Sequence, residues 1–391
     1  MSHQVLRVVA LSARRIQIPI GAFEHSSRSR SSTDNIVCAV TLGDGTVGYG
    51  EGVPRDYVTG ETVESAWKTL RELTIPPPPP LTTLRDAIAY AEHVVSTSIA
   101  DHAGVVQNAC RSAVELALLD AYGRVFSTSL TPAAAELVGT RAGTVCTHSL
   151  VLDRKAPRDA DKLVEMRRRY GFTTAKIKVG FGIDEDVENI AAVRRVFGPE
   201  GELRLDANRA WTFDEAVAVM TRAKELGVTA VEDPVKGDNP DELRRLREQH
   251  GVRVILDESI RTRDEAERAM DNHAVDVFNL RVSKNGGLVR TLQIAKLAQE
   301  RGVGLQVGTQ VGETAILTSA GRHLSYSAGP VVYLESSNEH MKFTPERYVS
   351  VEDLNYDEHA TSPPLTGPGL GITVLPERLD AFTTDRLERR F

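Results

Sequence analysis

The chain has 391 residues, of which 41% are hydrophobic and 26% are charged, and it carries a formal net charge of −7. This composition is typical of a folded globular protein, and the acidic balance argues against a nucleic-acid-binding domain, which is usually basic. The three cysteines, Cys38, Cys110 and Cys146, lie far apart without a CxxC pair, so we expect neither a disulfide framework nor a thiolate zinc site.

The N-terminal segment and the apolar runs give no sign of export or membrane insertion. The first apolar run is interrupted by Arg14 and Arg15, and it is typical of a first strand rather than of a signal peptide. No stretch approaches the roughly 20 apolar residues that a membrane-spanning helix requires. We therefore expect a cytoplasmic protein with neither a membrane nor a nucleic-acid partner.

The first part of the chain predicts an α+β domain over residues 1–140. A strand-like run near the N-terminus precedes the hairpin pattern "NIVCAVTLGDGTVGYGEGV", in which GDGT supplies the turn. Helical periodicity then occurs in three segments, "ETVESAWKTLREL", "LRDAIAYAEHVVS" and "QNACRSAVELALLDAYGRV".

Short β-rich runs then alternate with amphipathic helices over residues 141–365. Eight strand candidates extend from "TVCTHSLVL" through "TAKIKV" to "VVYLES". Such alternation predicts parallel strands with right-handed crossovers, and eight of them favour a (β/α) barrel. A doubly wound open sheet is the alternative, but "VLDRKAPRDA" after the first strand lacks the glycine-rich phosphate loop expected of that fold.

Charged residues recur at the predicted C-terminal ends of successive barrel strands, at intervals of roughly 27 residues, the length of one strand–helix unit. They are Lys176 and Lys178 on the second strand, Asp206, Glu232 and Asp257 on the third to fifth, and Lys284 after the sixth. Strand ends meet at one mouth of a barrel, and neighbouring strands lie about 4.8 Å apart. We therefore expect the three carboxylates to converge between the lysines.

These residue types predict a metal site and a base. Carboxylates this close would raise one another's pKa unless a cation joined them, and oxygen ligands without Cys or His select a hard metal such as Mg²⁺, with Mn²⁺ as a substitute. Lys176 and Lys178 point to the same face of their strand. The like charge and partial burial are expected to lower the pKa of Lys178 towards that of a useful general base.

The motifs "KIK", "LDAN", "VEDP", "LDES" and "SKNGG", in this order, resemble the enolase superfamily, and specifically its muconate-lactonizing subgroup. The resemblance covers nearly the whole chain. It implies an α/β fold, a modified (β/α)7β TIM-type barrel with an N-terminal α+β capping domain, to which a C-terminal segment at 366–391 returns. It also implies that Asp206, Glu232 and Asp257 bind Mg²⁺, and that Lys178 and Lys284 form an acid/base pair assisted by Lys176.

The implied reaction removes the proton α to a carboxylate and passes through a metal-stabilised enediolate. A muconate-type cycloisomerase is the first expectation. A racemase or epimerase of dipeptides or N-acyl amino acids, or an acid-sugar or hydroxy-acid dehydratase, is the alternative. A non-enzymatic binding protein is disfavoured because no lysine or carboxylate of the set is missing.

The chain departs from the motifs of two related groups of enzymes, and both departures bear on the expected reaction. The mandelate racemase branch places a His on strand seven, where this chain reads "VGLQVGTQVGET". "VVYLESSNEH" supplies Glu335 but lacks the Asp-x-Asp of many dipeptide epimerases.

Further residues are expected to contact a small-molecule carboxylate substrate. The segment "GAFEHSSRSRSSTD", with His25, Arg28 and Arg30, is interpreted as a flexible lid for an anionic group, with a solvated loop as the alternative. The other candidates are Asn208 beside Asp206, Arg55 and Tyr57 in "GVPRDYVTGET", Glu313 and Glu335. His148 is expected to be a hydrogen-bonded structural residue and Glu258 a partner of Lys284. A homo-oligomer is expected.

Overall fold

The computed structural model describes residues 6–24, 29–141, 143, 146–237, 239–335 and 343–391. Within these ranges, an antiparallel sheet with packed helices is followed by a closed parallel barrel. Within these ranges no helix has the length and hydropathy needed to span a bilayer.

The N-terminal sheet takes its last strand from the C-terminus. Its strand order is β15-β1-β4-β5, where the strands are β1 (Val8–Ile16), β4 (Asn35–Leu42), β5 (Val47–Gly52) and β15 (Thr383–Arg390). β4 and β5 are the hairpin predicted from the sequence. The described part of the predicted lid loop is instead an antiparallel ladder of β2 (Pro19–Glu24) and β3 (Ser29–Ser32).

Four helices follow this hairpin: α1 (Val63–Glu72), α2 (Leu84–Ser98), α3 (Asn108–Val125) and α4 (Leu130–Val138). α3 is buried on nearly all sides and lies against β5. Every second residue along β5 is a glycine, and these glycines all face α3. A Cβ at Gly48 or Gly50 would collide with the backbone of α3. These glycines therefore permit the close approach of helix and sheet. Below, the sheet and α1–α4 are called the cap.

The barrel confirms the predicted (β/α)7β fold. Its strands, in the order in which they pair, are β6 (Cys146–Leu152), β7 (Thr174–Lys178), β8 (Glu202–Asp206), β9 (Val228–Glu232), β10 (Arg253–Leu256), β11 (Val277–Leu280), β12 (Gly304–Val307) and β13 (Tyr333–Glu335), and β13 pairs with β6 to close the ring. Between them lie α5 (Ala160–Tyr170), α6 (Ile183–Phe197), α7 (Phe213–Ala223), α8 (Pro240–His250), α9 (Arg263–Asp271), α10 (Leu288–Glu300) and α11 (Ala315–Ser327).

Short elements complete the described chain. β14 (Thr361–Ser362) pairs antiparallel with β6, and α12 (Pro376–Ala381) precedes β15. Three 3₁₀ turns occur at Ala156–Arg158, Lys224–Leu226 and Pro345–Arg347. The predicted domain boundaries at residues 140 and 365 stay predictions.

The barrel interior is layered, as the alternation of side chains along its strands requires. One buried layer is mainly apolar and contains Ala230, Ile255, Val277 and Tyr333. Two residues further along the same strands, the layer nearer the C-terminal mouth consists of Glu232, Asp257, Asn279 and Glu335. The sequence thus changes from mainly apolar to polar or ionisable side chains within two residues, and this change positions the site.

Candidate active site

The predicted carboxylates lie side by side at the C-terminal mouth of the barrel. Strand pairing aligns Lys178, Asp206 and Glu232 on β7, β8 and β9, and Asp257 directly follows the last residue of β10. All three carboxylates are fully buried. Because a buried charge is stable only with partners, the neighbours of this carboxylate row determine its chemistry.

Lys178 lies at the β8 end of the row. Its ammonium group donates hydrogen bonds to Asp206 at 2.6 Å and to the side-chain oxygen of Asn208 at 2.9 Å. Asn208 has φ of +46°, a left-handed conformation that Asn tolerates, and its backbone N–H bonds Asp206. The Asn208 amide also donates to Glu258 at 3.0 Å. This turn therefore directs the side chain of Asn208 at Lys178.

Lys176 is fixed among carboxylates rather than free at the mouth. Its ammonium lies 3.2 Å from both Asp206 and Glu232, and it forms a further ion pair with Glu335. Burial alone would lower the pKa of Lys176, but the charges of Glu232 and Glu335 raise it above its ordinary value. Lys176 therefore favours its charged form and offsets part of the negative charge of the row.

Lys284 lies at the opposite end of the row, in the turn after β11. It is fully buried and donates to the Asp257 carboxylate at 3.0 Å and to the carbonyl oxygens of Asp257 and Asn279, each at 2.7 Å. Burial, and then the positive charge of Arg281, lower the pKa of Lys284 to about 7. An ammonium group in this environment gives up its proton more readily than an ordinary lysine.

Three polar residues of the site were not predicted from the sequence. Arg281 forms an ion pair with Asp257 and lies 3.9 Å from Glu232. Asn279 and Gln306 each donate to Glu232 at 2.8 Å. The sequence feature that could have indicated them is a polar side chain inside an otherwise apolar strand, in "VFNLRV" and "VGLQVG". In a fully buried strand such a residue needs a polar partner, so it marks the inner layer.

The three carboxylates are suitable ligands for a hard divalent metal, although in this structure they pair with lysine and arginine side chains. Asp206, Glu232 and Asp257 supply buried carboxylate oxygens on neighbouring strands, the ligands that Mg²⁺ prefers. Among the described residues, no three acidic, His or Cys side chains already surround one point. The Arg281 guanidinium contacts Asp257 and approaches Glu232. Joint ligation therefore requires Arg281 to release Asp257.

Of the substrate-contact residues predicted near the N-terminus, some lie outside the described part of the chain and others form contacts within the protein. His25 and Arg28 lie outside the described residues, and the backbone of Arg30 pairs with Phe23 in the β2–β3 ladder. Arg55 is buried, and its guanidinium donates to the side chain of Asn35 and to backbone carbonyls that include that of Val311 after β12. These contacts tie the cap to the barrel.

Four further candidates have neighbours within the protein. Tyr57 is half-buried in the turn after β5. Glu313 accepts the backbone N–H of Gln310 at 2.7 Å, and desolvation raises its pKa to about 8. His148 is buried and lies 2.8 Å from the Ser362 hydroxyl. Glu258 contacts Asn208 and so lies on the Lys178 side of the network.

The chain matches a family model described as "Enolase C-terminal domain-like" over residues 158–378. It is 26% identical over 330 residues to an N-succinyl-L-Arg/Lys racemase of Bacillus cereus, which covers 82% of this chain and 84% of the relative. It is 30% identical over 295 residues to a hydrophobic dipeptide epimerase of Enterococcus faecalis, which covers 75% and 79%. A chloromuconate cycloisomerase of a Pseudomonas species is 28% identical over 382 residues, with 97% and 99% covered.

Solved structures agree with these sequence matches. The crystal structure of the Bacillus cereus N-succinyl Arg/Lys racemase has a TM-score of 0.85 with 26% identity, covering 98% of this chain and all of that one. A dipeptide epimerase from Enterococcus faecalis, complexed with Mg and the dipeptide L-Leu-L-Tyr, has a TM-score of 0.80 with 25% identity, covering 94% and 99%. The chain therefore belongs to the enolase C-terminal domain-like family and is an isomerase of the enolase superfamily.

Proposed function

We propose that this isomerase transfers a proton at the carbon α to a substrate carboxylate, in a Mg²⁺-dependent reaction that uses Lys178 and Lys284. The main support for this proposal is that the two ammonium groups contact opposite ends of the carboxylate row. Lys178 contacts Asp206, and Lys284 contacts Asp257. A substrate held over the middle of the row then has one amine on each side.

Asp206, Glu232 and Asp257 are the proposed metal ligands. A divalent ion held by them would supply positive charge to stabilise negative charge that develops on the substrate carboxylate. The Mg in the related dipeptide epimerase structure supports this proposal. Lys176, held by Glu232 and Glu335, keeps the row compact and contributes a further fixed positive charge.

Proton transfer at the α-carbon is compatible with two reaction types. In a muconate-type cycloisomerase, expected first from the sequence, one lysine transfers the proton and the other acts through its charge. In a racemase or epimerase, each lysine serves one face of the carbon. The placement of Lys178 and Lys284 at opposite ends of the row favours the second type, whereas the relatives include both types.

The contacts of Glu335 bear on the class of substrate. This residue ends β13, and its carboxylate is already engaged by Lys176 and by Gln306 at 3.1 Å. A free substrate amine would have to compete with the buried ammonium of Lys176 for this carboxylate. We therefore propose a substrate without a free ammonium group, such as an N-acyl amino acid or a dicarboxylate, rather than a free dipeptide.

Hydrogen exchange at the α-carbon tests this function whichever product is formed. The wild-type protein is incubated in deuterated water with Mg²⁺ and a panel of N-acyl amino acids, free dipeptides and muconate-type diacids, and α-deuteration or lactone formation is followed by NMR. We expect turnover with an N-acyl amino acid or a diacid, and loss of it with a chelator or in Asp257→Asn. Asp184→Asn, at an exposed ion pair with Arg222, is the control.

Turnover that is indifferent to both the chelator and Asp257→Asn would exclude the proposed metal-assisted reaction. Turnover of free dipeptides alone would keep the proton transfer and overturn the proposed substrate class.

A further inference from the structure

A cavity of about 370 Å³ lies outside the barrel, between α8 and α9 and next to the mouth. The apolar residues of its lining include Leu243, Leu256 and Ala269, which we call its floor, and Val58 from the loop after β5 also lines it. This volume lies within the range of small-molecule sites. The cavity does not include the lysines or metal-ligand candidates of the carboxylate row.

The rim is rich in guanidinium groups. Arg209, Arg261 and Arg268 line the cavity together with two carboxyl groups, Glu258 and Glu265. Even with both carboxyl groups ionised, the lining has one positive charge in excess. Arg261 is paired with Glu265, while Arg268 is exposed and has no ion-pair partner among the residues that the structure describes. Arg268 can therefore bind an incoming anion without losing an existing ion pair.

Two polar atoms of the cavity wall also lack a partner within the described chain. They are the Oγ of Ser259 and the Oε2 of Glu258, both inaccessible to solvent. Glu258 is 8% exposed, and its other oxygen accepts the Asn208 amide.

We propose that this cavity is a second ligand site, which binds a small carboxylate with an apolar body separately from the substrate. The carboxylate group pairs with Arg268 at the rim, and the body covers the apolar floor. Glu258 in the cavity wall is joined through Asn208 to the ammonium of Lys178. The cavity wall is thus linked to the ammonium of Lys178 by two hydrogen bonds.

Benzoate is the probe, and the neutral benzamide has the same apolar body without the charge. Binding to the full chain is measured by calorimetry with a chelator present, so that no metal draws benzoate to the carboxylate row. We expect one benzoate per chain and at least about tenfold weaker binding in Arg268→Gln, because a charge-assisted contact is lost. Ala269→Leu, which fills the floor, should abolish binding.

The matched control is Arg263→Gln on the same helix, since Arg263 is paired with Glu267 and does not line this cavity. It removes the same charge from α9 and should leave benzoate binding within about twofold of wild type, a change that corresponds to under about 0.5 kcal/mol. Circular dichroism verifies that each variant is folded. Equal binding by wild type, Arg268→Gln and Ala269→Leu overturns the proposal, and so does equal affinity for benzoate and benzamide.

Discussion

Glu232 shows how a buried carboxylate is held at the residue scale. Its two oxygens accept hydrogen bonds from Lys176, Asn279 and Gln306. The Arg281 guanidinium lies 3.9 Å away. Three different strands supply these donors, so the carboxylate has little freedom to rotate. The same network leaves Arg281 as the group that must move if Asp257 and Glu232 are to share a metal ion.

Replacement of Arg281 by methionine tests this competition. Without metal, Arg281→Met should lower stability by about 3–5 kcal/mol, because Asp257 keeps its buried charge and loses a guanidinium partner. With Mg²⁺ the ion takes the place of the lost charge, so the rise in melting temperature on adding Mg²⁺ should exceed that of wild type. Calorimetric melting with and without Mg²⁺ measures both effects.

Arg222→Met, at the exposed pair with Asp184, is the control and should change neither quantity appreciably. A smaller Mg²⁺-induced shift in Arg281→Met than in wild type would mean that Arg281 supports metal binding rather than competing with it.

The sequence indicated the charged residues of the site better than their partners. Lys178, Asp206, Glu232 and Asp257 were found because a charge recurs at each strand end. Arg281 was missed because one charge per repeat had already been assigned to Lys284 on the same turn. The pairing of each lysine with a carboxylate depends on strand register and on side-chain rotamers. Neither can be predicted from the pattern of a single sequence. The catalytic and ligand roles stay predictions.

Carboxylates at helix N-termini join the cap to the barrel at the element scale. Glu115 of α3 accepts the N–H groups of Leu288 at 2.5 Å and Val289 at 3.3 Å, at the start of α10. Glu51 of β5 accepts the Thr314 hydroxyl and the N–H of Leu317 at the start of α11. Unpaired N–H groups at a helix start favour a negative group. The cap thus fixes the two helices that follow β11 and β12.

Gly287 is required at the first of these contacts. It has φ of +113°, and a Cβ there would collide with the carboxylate of Glu115. Gly287→Ala should therefore cost more than the about 1–3 kcal/mol of backbone strain alone. Gly182→Ala is the matched control, since Gly182 precedes α6 as Gly287 precedes α10 and has φ of +121° but open space around its Cβ position. Urea unfolding of both variants compares them, and equal losses would exclude the collision.

The pH dependence of stability tests the protonation of Glu115. Burial, and then the charge of Glu92, raise its pKa from 4.5 to about 8. Between these values the folded state binds a proton that the unfolded state has released, so this stabilising contribution is complete below pH 4.5 and is lost as the pH rises to about 8.

The comparison is between wild type and Glu115→Gln, whose amide does not titrate. From pH 5 to pH 8, wild type should lose stability relative to the variant by up to about 1.4 kcal/mol per pH unit. Urea unfolding at intervals of one pH unit measures this difference. A constant difference over the range would mean that the N–H groups of α10 keep Glu115 ionised throughout.

At the scale of the whole molecule, the residue pattern predicted the chain order of strands and helices, whereas the return of the C-terminal segment was expected only from the family resemblance. Alternating β-rich and amphipathic runs predicted β6–β13 and several of the helices between them, and the closed barrel confirms that architecture. The "TTDRLERR" strand β15 has a largely polar, exposed pattern, so nothing in its periodicity indicated pairing with β1. The β2–β3 ladder was likewise hidden in a stretch rich in Ser and Arg.

The same architecture places Lys178 on β7 and Lys284 after β11, on opposite sides of the carboxylate row. The most direct test is α-deuteration of each enantiomer of an N-acyl amino acid substrate by Lys178→Ala and Lys284→Ala, followed by NMR in deuterated water with Mg²⁺. Neither variant should interconvert the enantiomers. Each should deuterate one enantiomer only, the opposite one in the two variants, because the remaining lysine serves a single face. Deuteration of both enantiomers at equal rates in both variants would contradict the assignment of the two lysines as the acid and base.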